Sequence, residues 1–160
     1  MSLDIELLEQ SFAAVAPKGD ELVDAFYRNL FADYPSVLPL FEGIEIADQK
    51  KKLLAALKTV VANLRKPEVL GPTLLDMGAR HVGYGAQEAH YPAVGATLLK
   101  SLAEVAGDLW NDELQDAWSV AYDAIQAKML EGPRRLSNRR SAAPRAAIRY
   151  AAGDGSLAAH

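Results

Sequence analysis

Cysteine is absent from the 160 residues of the chain. This absence excludes disulfide frameworks, thiolate zinc sites, cysteine nucleophiles and metal cofactors held by thiolates. Histidine is scarce as well, with three residues in the whole sequence. Any transition-metal site must therefore use histidine or carboxylate ligands.

Long apolar runs are also missing. No segment approaches the roughly 20 apolar residues that a helix needs to cross a bilayer, and the N-terminus lacks the charged and apolar segments of a secretory signal. We therefore expect a cytoplasmic protein with no membrane span. A chain of this length normally forms one domain with a sizeable core.

Positive charge is scarce in most of the chain and concentrated near its end. Residues 1–132 contain 11 Lys and Arg against 20 Asp and Glu, whereas residues 133–160 contain six Arg against one Asp. An acidic body repels polyphosphate, so we expect no nucleic acid partner. The composition predicts a folded domain over residues 1–132 and a basic tail over residues 133–160, which is disordered or weakly helical near residues 145–150.

Apolar residues recur at spacings of three and four, and no segment alternates as a half-buried strand does. The sequence therefore predicts an all-α fold. Prolines and capping residues divide it into six or seven helices. The predicted boundaries are Pro17, Pro35, a short segment Ser36 to Phe41, a long helix from about Ala47 to Arg65 closed by Pro67, first turns at Pro72 and Pro92, an end at Gly107, and a last helix from the N-cap Asn111 to about Leu130.

A histidine lies on an apolar helical face in the segment before residue 82. Spacings of three and four place Leu74, Met77 and His81 on that face. From the residues alone, His81 is either a core histidine with a satisfied hydrogen bond or a metal ligand.

Two further polar side chains are predicted to point inward. Gln49 lies one turn before Leu53 on the face of the long helix, and Tyr27 lies on the apolar stripe between Val23 and Phe31. Each has an ordinary structural explanation. In that alternative, Gln49 is an exposed residue in the first turn of its helix, and Tyr27 is an ordinary core tyrosine whose hydroxyl bonds to a backbone carbonyl.

The order of these pieces resembles the single-domain globins of bacteria and the globin domain of flavohaemoglobins. The resemblance covers residues 3–131 and implies a globin fold of six to eight helices around a haem pocket. The motifs that carry it are Phe26-Tyr27-Arg28-Asn29-Leu30-Phe31 with Pro35, Leu40-Phe41, Asp48-Gln49 with Leu53, Arg80-His81, Tyr91-Pro92-Ala93-Val94-Gly95 with Leu98-Leu99, and Asp116-Ala117-Trp118 with Tyr122.

The resemblance implies a role for each matched position around haem b. By this resemblance, His81 corresponds to the proximal iron ligand, and Tyr27 and Gln49 correspond to the distal pair that contacts a diatomic gas. Lys50 is the alternative to Gln49 if the register slips, and Leu53 corresponds to the distal apolar residue beside the gas. His90 and His160 are expected not to be ligands. The remaining expected haem contacts are Phe41, Lys52, Leu53, Val60, Leu74, Met77, Arg80, Tyr91 and Val94. Of these, Lys52 and Arg80 either face the haem propionates or are ordinary solvated charges on helix surfaces.

One departure from the family concerns the proximal side of the pocket. The flavohaemoglobin pattern has a glutamate in the last helix near His81 and Tyr91, but Pro133 matches that place and Glu131 is out of register. A strongly electron-donating proximal histidine is therefore not expected. No Gly-rich dinucleotide fingerprint follows the matched segment.

Three functions follow from the resemblance. The first is reversible binding of oxygen or another diatomic gas at ferrous iron, for storage, scavenging or oxygen transport. The second is an enzyme, a nitric oxide dioxygenase or pseudo-peroxidase that takes electrons from a separate reductase. The third is a gas sensor or interaction module that uses the basic tail. The expected partners are oxygen, nitric oxide or carbon monoxide, and the expected assembly is a monomer or small homo-oligomer.

Overall fold

The computed structural model describes the backbone of residues 3–139 and the side chains of residues 3–131. That part of the chain contains α-helices and short 3₁₀ helices without any strand, which confirms the all-α prediction. The 3₁₀ helices cover Ala16–Lys18, Pro35–Phe41 and Gly107–Leu109. The α-helices are α1 (Ile5–Val15), α2 (Gly19–Asp33), α3 (Ile46–Ala62), α4 (Pro67–Gly83), α5 (His90–Ala106) and α6 (Asp112–Arg139).

Several helix ends follow the capping residues of the sequence. The Asn111 side chain accepts a hydrogen bond of 2.9 Å from the Leu114 amide and so caps α6. Gly107 ends α5 with a φ of +58°, a conformation that glycine adopts without a steric penalty. Pro92 lies in the first turn of α5, where its missing N–H has no intrahelical acceptor to lose.

Two predicted boundaries are wrong. Helix α4 begins at Pro67, and Pro72 lies inside it, because proline suits the first turn of a helix as well as the residue after one. Helix α6 continues to Arg139 instead of ending near Leu130. The backbone of residues 133–139 is thus helical, while the weak helix predicted near residues 145–150 lies outside the described residues. The domain boundary at residue 132 stays a prediction.

The core forms where α4 packs on α6 and α2 packs on α5. Glycine permits two close approaches. A Cβ atom on Gly78 would lie 1.8 Å from the carbonyl oxygen of Met129, and one on Gly95 would lie 2.5 Å from the Tyr122 ring. Both contacts bring α6 against the elements that carry the candidate site.

Within residues 3–139, no helix combines the length and the low polarity needed to cross a membrane.

Candidate functional site

A cavity of about 300 Å³ opens between α2, α3, α4, α5 and α6. Apolar side chains from all five helices and from the 3₁₀ helix Pro35–Phe41 form most of its wall. Such a wall favours an apolar guest with a few polar anchoring groups.

Eleven of the twelve side chains predicted from the sequence line this cavity. Leu74 is the exception, since it is buried in the core on α4 and is not part of the cavity wall. The eleven are Tyr27, Phe41, Gln49, Lys52, Leu53, Val60, Met77, Arg80, His81, Tyr91 and Val94.

The His81 imidazole is held in one orientation by its own helix. Its Nδ1 lies 2.6 Å from the carbonyl oxygen of Met77, one turn earlier on α4. A carbonyl can only accept, so Nδ1 carries the proton and the lone pair is left on Nε2. Burial lowers the pKa of His81 below its ordinary value, more than the Met77 hydrogen bond raises it, so the ring is neutral near pH 7. A neutral imidazole with a free Nε2 is able to coordinate a metal ion.

Two tyrosines lie beside His81, and a third is hydrogen-bonded to the backbone of one of them. The ring centroids of Tyr84 and Tyr91 lie 5.4 and 6.5 Å from that of His81. The Tyr122 hydroxyl donates to the Tyr91 carbonyl at 2.6 Å. Sequence reasoning missed Tyr84, although its position three residues after His81 on a helical path already placed it on the same side.

Tyr27 lines the cavity from α2, among aromatic rings. Its hydroxyl donates to the backbone carbonyl of Gln49 at 3.5 Å, a long and therefore weak hydrogen bond. Phe26, Phe31 and Phe41 pack around it with ring centroids 5.1 to 5.9 Å away. Burial raises the pKa of Tyr27 well above its ordinary value, so the phenol keeps its proton at physiological pH. A buried hydroxyl with so weak a partner can donate to a guest instead.

The register of α3 separates Gln49 from Lys50. The half-buried Gln49 side chain lines the cavity. Lys50 is not part of the cavity wall, and its Nζ forms an ion pair with Asp24 on α2 at 3.0 Å. Of these two neighbours, the geometry therefore favours Gln49 over Lys50 as a polar residue that lines the cavity.

Two cations belong to the cavity wall. Lys52 lies on α3, and Arg80 lies on α4, where it forms an ion pair with Asp76. Both residues are partly exposed, so they border the cavity on the solvent side. Such positions suit the acidic groups of a guest whose remaining surface is apolar.

His90, which is expected not to be a ligand, has one ring nitrogen engaged in a hydrogen bond. Its Nδ1 accepts from the Gln87 amide at 3.0 Å, at the start of α5. The ring nevertheless lines the cavity, which the sequence did not predict. His160 lies outside the described residues. Among the wall residues that were not assigned a role, four come from α6, and these are Trp118, Tyr122, Ile125 and Met129.

Comparison with known proteins adds independent information. A family model described as Globin matches residues 24–129. The chain is 31% identical over 129 residues to a flavohemoprotein of Rhizobium meliloti (strain 1021), covering 79% of this chain and 32% of that protein. It is 30% identical over 128 residues to a flavohemoprotein of Pseudomonas aeruginosa, covering 78% and 33%. The chain therefore spans about a third of the length of these curated relatives.

Two solved structures are similar over almost their whole length. A bacterial globin from Campylobacter jejuni has a TM-score of 0.72 and 27% identity, covering 84% of this chain and 96% of that one. An engineered carbene transferase, described as a candidate nitric oxide dioxygenase from Rhodothermus marinus, has a TM-score of 0.70 and 27% identity, covering 85% and 97%.

Proposed function

This chain belongs to the globin family, and we propose that its cavity holds haem b and that the ferrous protein reversibly binds oxygen or another diatomic gas. The observation that carries the proposal is the neutral His81, whose Nδ1 is committed to the Met77 carbonyl and whose Nε2 is free inside an apolar cavity. Haem, when bound, supplies an iron centre with one coordination position left open for a gas.

The remaining wall residues fit this cofactor. The apolar residues Leu53, Val60 and Val94 would contact the macrocycle, and Phe41 would stack on it. Lys52 and Arg80 would meet the two propionates, because both cations lie on the partly exposed side of the cavity. Met77 would have two roles, because its backbone carbonyl accepts the hydrogen bond from His81 Nδ1 and its side chain forms part of the cavity wall.

Tyr27 and Gln49 would act as hydrogen-bond donors to the gas. The Tyr27 hydroxyl has a partner only at 3.5 Å, so giving up that bond for a charged acceptor costs little. The Gln49 amide lines the same cavity from α3. Hydrogen bonds to an acceptor that carries charge are stronger than neutral ones, and the apolar surroundings strengthen them further. These donors would therefore hold oxygen more firmly than carbon monoxide.

The test is an absorption spectrum of the full chain, purified and reconstituted with haem, with and without reductant and carbon monoxide. We expect one haem per chain, a shift of the Soret band with carbon monoxide, and saturable binding in an anaerobic titration with oxygen. A protein that fails to take up haem, or whose reduced spectrum does not change with carbon monoxide or oxygen, would contradict the proposal.

A second candidate function is nitric oxide dioxygenation with an external electron donor. The paired donors Tyr27 and Gln49 favour it, as does the similarity to proteins named flavohemoprotein and candidate nitric oxide dioxygenase. Nitric oxide and oxygen combine to nitrate with one electron per turnover, and a separate reductase would supply that electron. The partner of His81 is a neutral carbonyl, which makes the imidazole less electron-donating than a carboxylate partner would.

Nitrate formation separates the two functions. The oxygen-loaded protein receives nitric oxide under two conditions, alone and with a flavin-containing reductase and its reduced nicotinamide cofactor. Sustained nitrate production with the reductase supports the enzyme. A single equivalent of nitrate under both conditions leaves reversible gas binding as the function.

A further inference from the structure

An open cleft lies between α1, the C-terminal end of α5 and the start of α6. Its wall is mostly apolar, and Leu109 and Trp110 lie at its solvent side, the first exposed and the second half-buried. The Leu109 side chain is 60% exposed, the largest exposed fraction among the bulky apolar side chains that the structure describes. An exposed leucine at the edge of an apolar groove is a surface that another chain segment can cover.

Negative charge surrounds this cleft. The chain from residue 104 to residue 116, which runs from the end of α5 into α6, contains five Asp and Glu and no Lys or Arg. On α1, the Glu6 carboxylate accepts a hydrogen bond of 3.1 Å from the cleft-lining Gln10. Within residues 3–131, no ion pair engages Asp108 or Asp112. Their charges are therefore available to a basic partner at the cleft.

The basic tail contains a short segment of complementary chemistry. Residues 145–150 carry two arginines, Arg145 and Arg149, and two bulky apolar residues, Ile148 and Tyr150, without any acidic residue. The arginines can pair with the carboxylates around the cleft, and the apolar pair can cover the exposed leucine at its edge. We call residues 145–150 the docking segment.

Distance decides which copy of the chain can receive the docking segment. Helix α6 runs from Asp112, beside the cleft, to Arg139, where the rest of the basic tail begins, and spans about 40 Å at 1.5 Å per residue. Ile148 is nine residues after Arg139, and nine extended residues span at most about 32 Å. The Ile148 side chain therefore cannot contact Leu109 of its own chain. The cleft of a second copy is not subject to this limit.

We propose that the docking segment of one copy binds in the cleft of a second copy, so that the chain self-associates through its basic tail. The two arginines contact the carboxylates around the cleft, and the two apolar residues pack on Leu109. Two copies can exchange segments reciprocally, which gives a closed dimer instead of an open chain of molecules. The inference does not rest on haem or gas binding, so it can fail while the proposed function stands.

Sedimentation velocity of the full chain at increasing protein concentration tests self-association. At about 0.1 M salt, we expect the weight-average sedimentation coefficient to rise with concentration toward that of a dimer. At about 1 M salt the Debye length falls from about 10 to about 3 Å, so the dissociation constant should increase about tenfold or more. A chain that stays monomeric up to about 1 mM, whether or not it binds vesicles of anionic phospholipid, would overturn the proposal.

Two leucine variants test the cleft. Leu109→Ser removes the exposed apolar contact and should weaken the dimer about tenfold, since a buried leucine contributes about 1.5 kcal/mol or more. Leu38→Ser is the matched control, because Leu38 is 46% exposed but is not part of the cleft, and its dissociation constant should stay at the wild-type value. Equal dissociation constants in the two variants would overturn the assignment of the cleft.

Two pairs of arginine substitutions test the docking segment. Arg145→Gln combined with Arg149→Gln should weaken the dimer by about threefold to tenfold, because two ion pairs at a partly exposed edge are lost. Arg134→Gln combined with Arg135→Gln removes the same charge outside the docking segment and should have a smaller effect. An equal effect of the two double variants would show that net charge alone drives association, and this would overturn the assignment of residues 145–150.

Paramagnetic relaxation tests whether the contact joins two copies. The chain has no cysteine, so Ala147→Cys accepts a single nitroxide label within the docking segment. Labelled chains are mixed with ¹⁵N-labelled wild-type chains, and we expect intermolecular broadening of the Trp110 indole N–H signal. The same label on Ser36→Cys, in the 3₁₀ helix Pro35–Phe41 that is not part of the cleft, should leave that signal sharp.

The location of the two labels gives the decisive comparison. Broadening that appears only when the nitroxide and ¹⁵N are in the same chain would place the docking segment on its own copy and would overturn the exchange. Absence of broadening in both arrangements would overturn it as well. The full chain is used in the diamagnetic carbon monoxide form, or as the apoprotein if it takes up no haem. Failure to bind haem thus contradicts the proposed function alone.

Discussion

At the scale of single residues, His81 is the side chain on which haem retention should depend most. Its replacement by Ala removes the one protein bond to iron that we propose. Losing even a supporting partner of a metal ligand costs roughly 10- to 100-fold in affinity, and the ligand itself should cost at least as much. Transfer of haem to an acceptor protein, followed at the Soret band, measures the loss. Added imidazole should partly restore the spectrum.

His90→Ala is the matched control for that variant. His90 also lines the cavity, but its Nδ1 is engaged with the Gln87 amide, so haem retention should stay close to wild type. An unaltered Soret band and unaltered ligand kinetics in His81→Ala would reverse the assignment and make His90 the candidate ligand.

Tyr27 should decide how long oxygen stays bound. Tyr27→Phe deletes a charge-assisted hydrogen bond of about 1.5 to 3 kcal/mol, so oxygen dissociation should become roughly tenfold to a hundredfold faster. Carbon monoxide carries less charge on its outer atom, and its dissociation should change much less. Stopped-flow measurement of both gases on the wild type and the variant gives the comparison.

The same experiment with Gln49→Leu should show a smaller effect in the same direction, since the Gln49 amide is partly exposed at the first turn of α3. Global stability of Tyr27→Phe should hardly fall, because the hydroxyl has only a 3.5 Å contact in the gas-free protein. Equal acceleration for both gases would indicate a steric gate. Unchanged oxygen kinetics in Tyr27→Phe would make this tyrosine a structural core residue.

At the scale of helices, the contact between α4 and α6 positions His81. Gly78 lies one turn before His81, and a Cβ there would meet the Met129 backbone at 1.8 Å. Backbone cannot yield as a flexible side chain does, so Gly78→Ala should force α4 away from α6. Overpacking of this kind costs about 1 to 3 kcal/mol of unfolding free energy. Denaturant titration of the apoprotein measures it, and faster haem loss should accompany it.

Gly71 supplies the control within the same helix. A Cβ at Gly71 would meet the flexible Lys128 side chain at 3.5 Å, an ordinary contact. Gly71→Ala should therefore change stability little, because the gain in helix propensity is opposed by the restriction that Pro72 places on the residue before it. Similar destabilisation in both variants would show that the loss comes from somewhere other than the close approach at Gly78.

At the scale of the whole molecule, the basic segment after residue 132 should be dispensable for haem binding. All the proposed haem contacts lie between residues 27 and 94, and Met129 is the last cavity-lining residue among the side chains that the structure describes. Truncations after Glu131 and after Arg139 should both retain haem, and the shorter one should be less stable because it removes the last turns of α6. Haem content measures the retention of haem, and thermal unfolding measures the difference in stability between the two truncations. Loss of haem in both truncations would refute dispensability.

The sequence by itself determined the fold class, the family and most of the predicted residues that line the candidate cavity. Spacings of three and four indicate helical faces, and capping residues such as Asn111 act within one turn. Because these features are local, they can be predicted from the sequence. Tyr27, Gln49 and His81 belong to motifs whose order along the chain was sufficient to group them. Proline was ambiguous, because it fits the first helical turn as well as the segment after a helix, and the start of α4 at Pro67 was missed for that reason.

Tertiary structure alone decided which side chains meet across distant elements. Leu74 shares a helical face with His81, yet it packs into the core instead of the cavity, since periodicity gives a direction on a helix but not what lies opposite. The Tyr27 contact with the Gln49 carbonyl joins α2 to α3 across 22 residues, and the bond from Trp118 to Ser11 joins α6 to α1 across 107 residues. Such contacts depend on how helices dock, and docking is set by the summed packing of many side chains rather than by any local pattern.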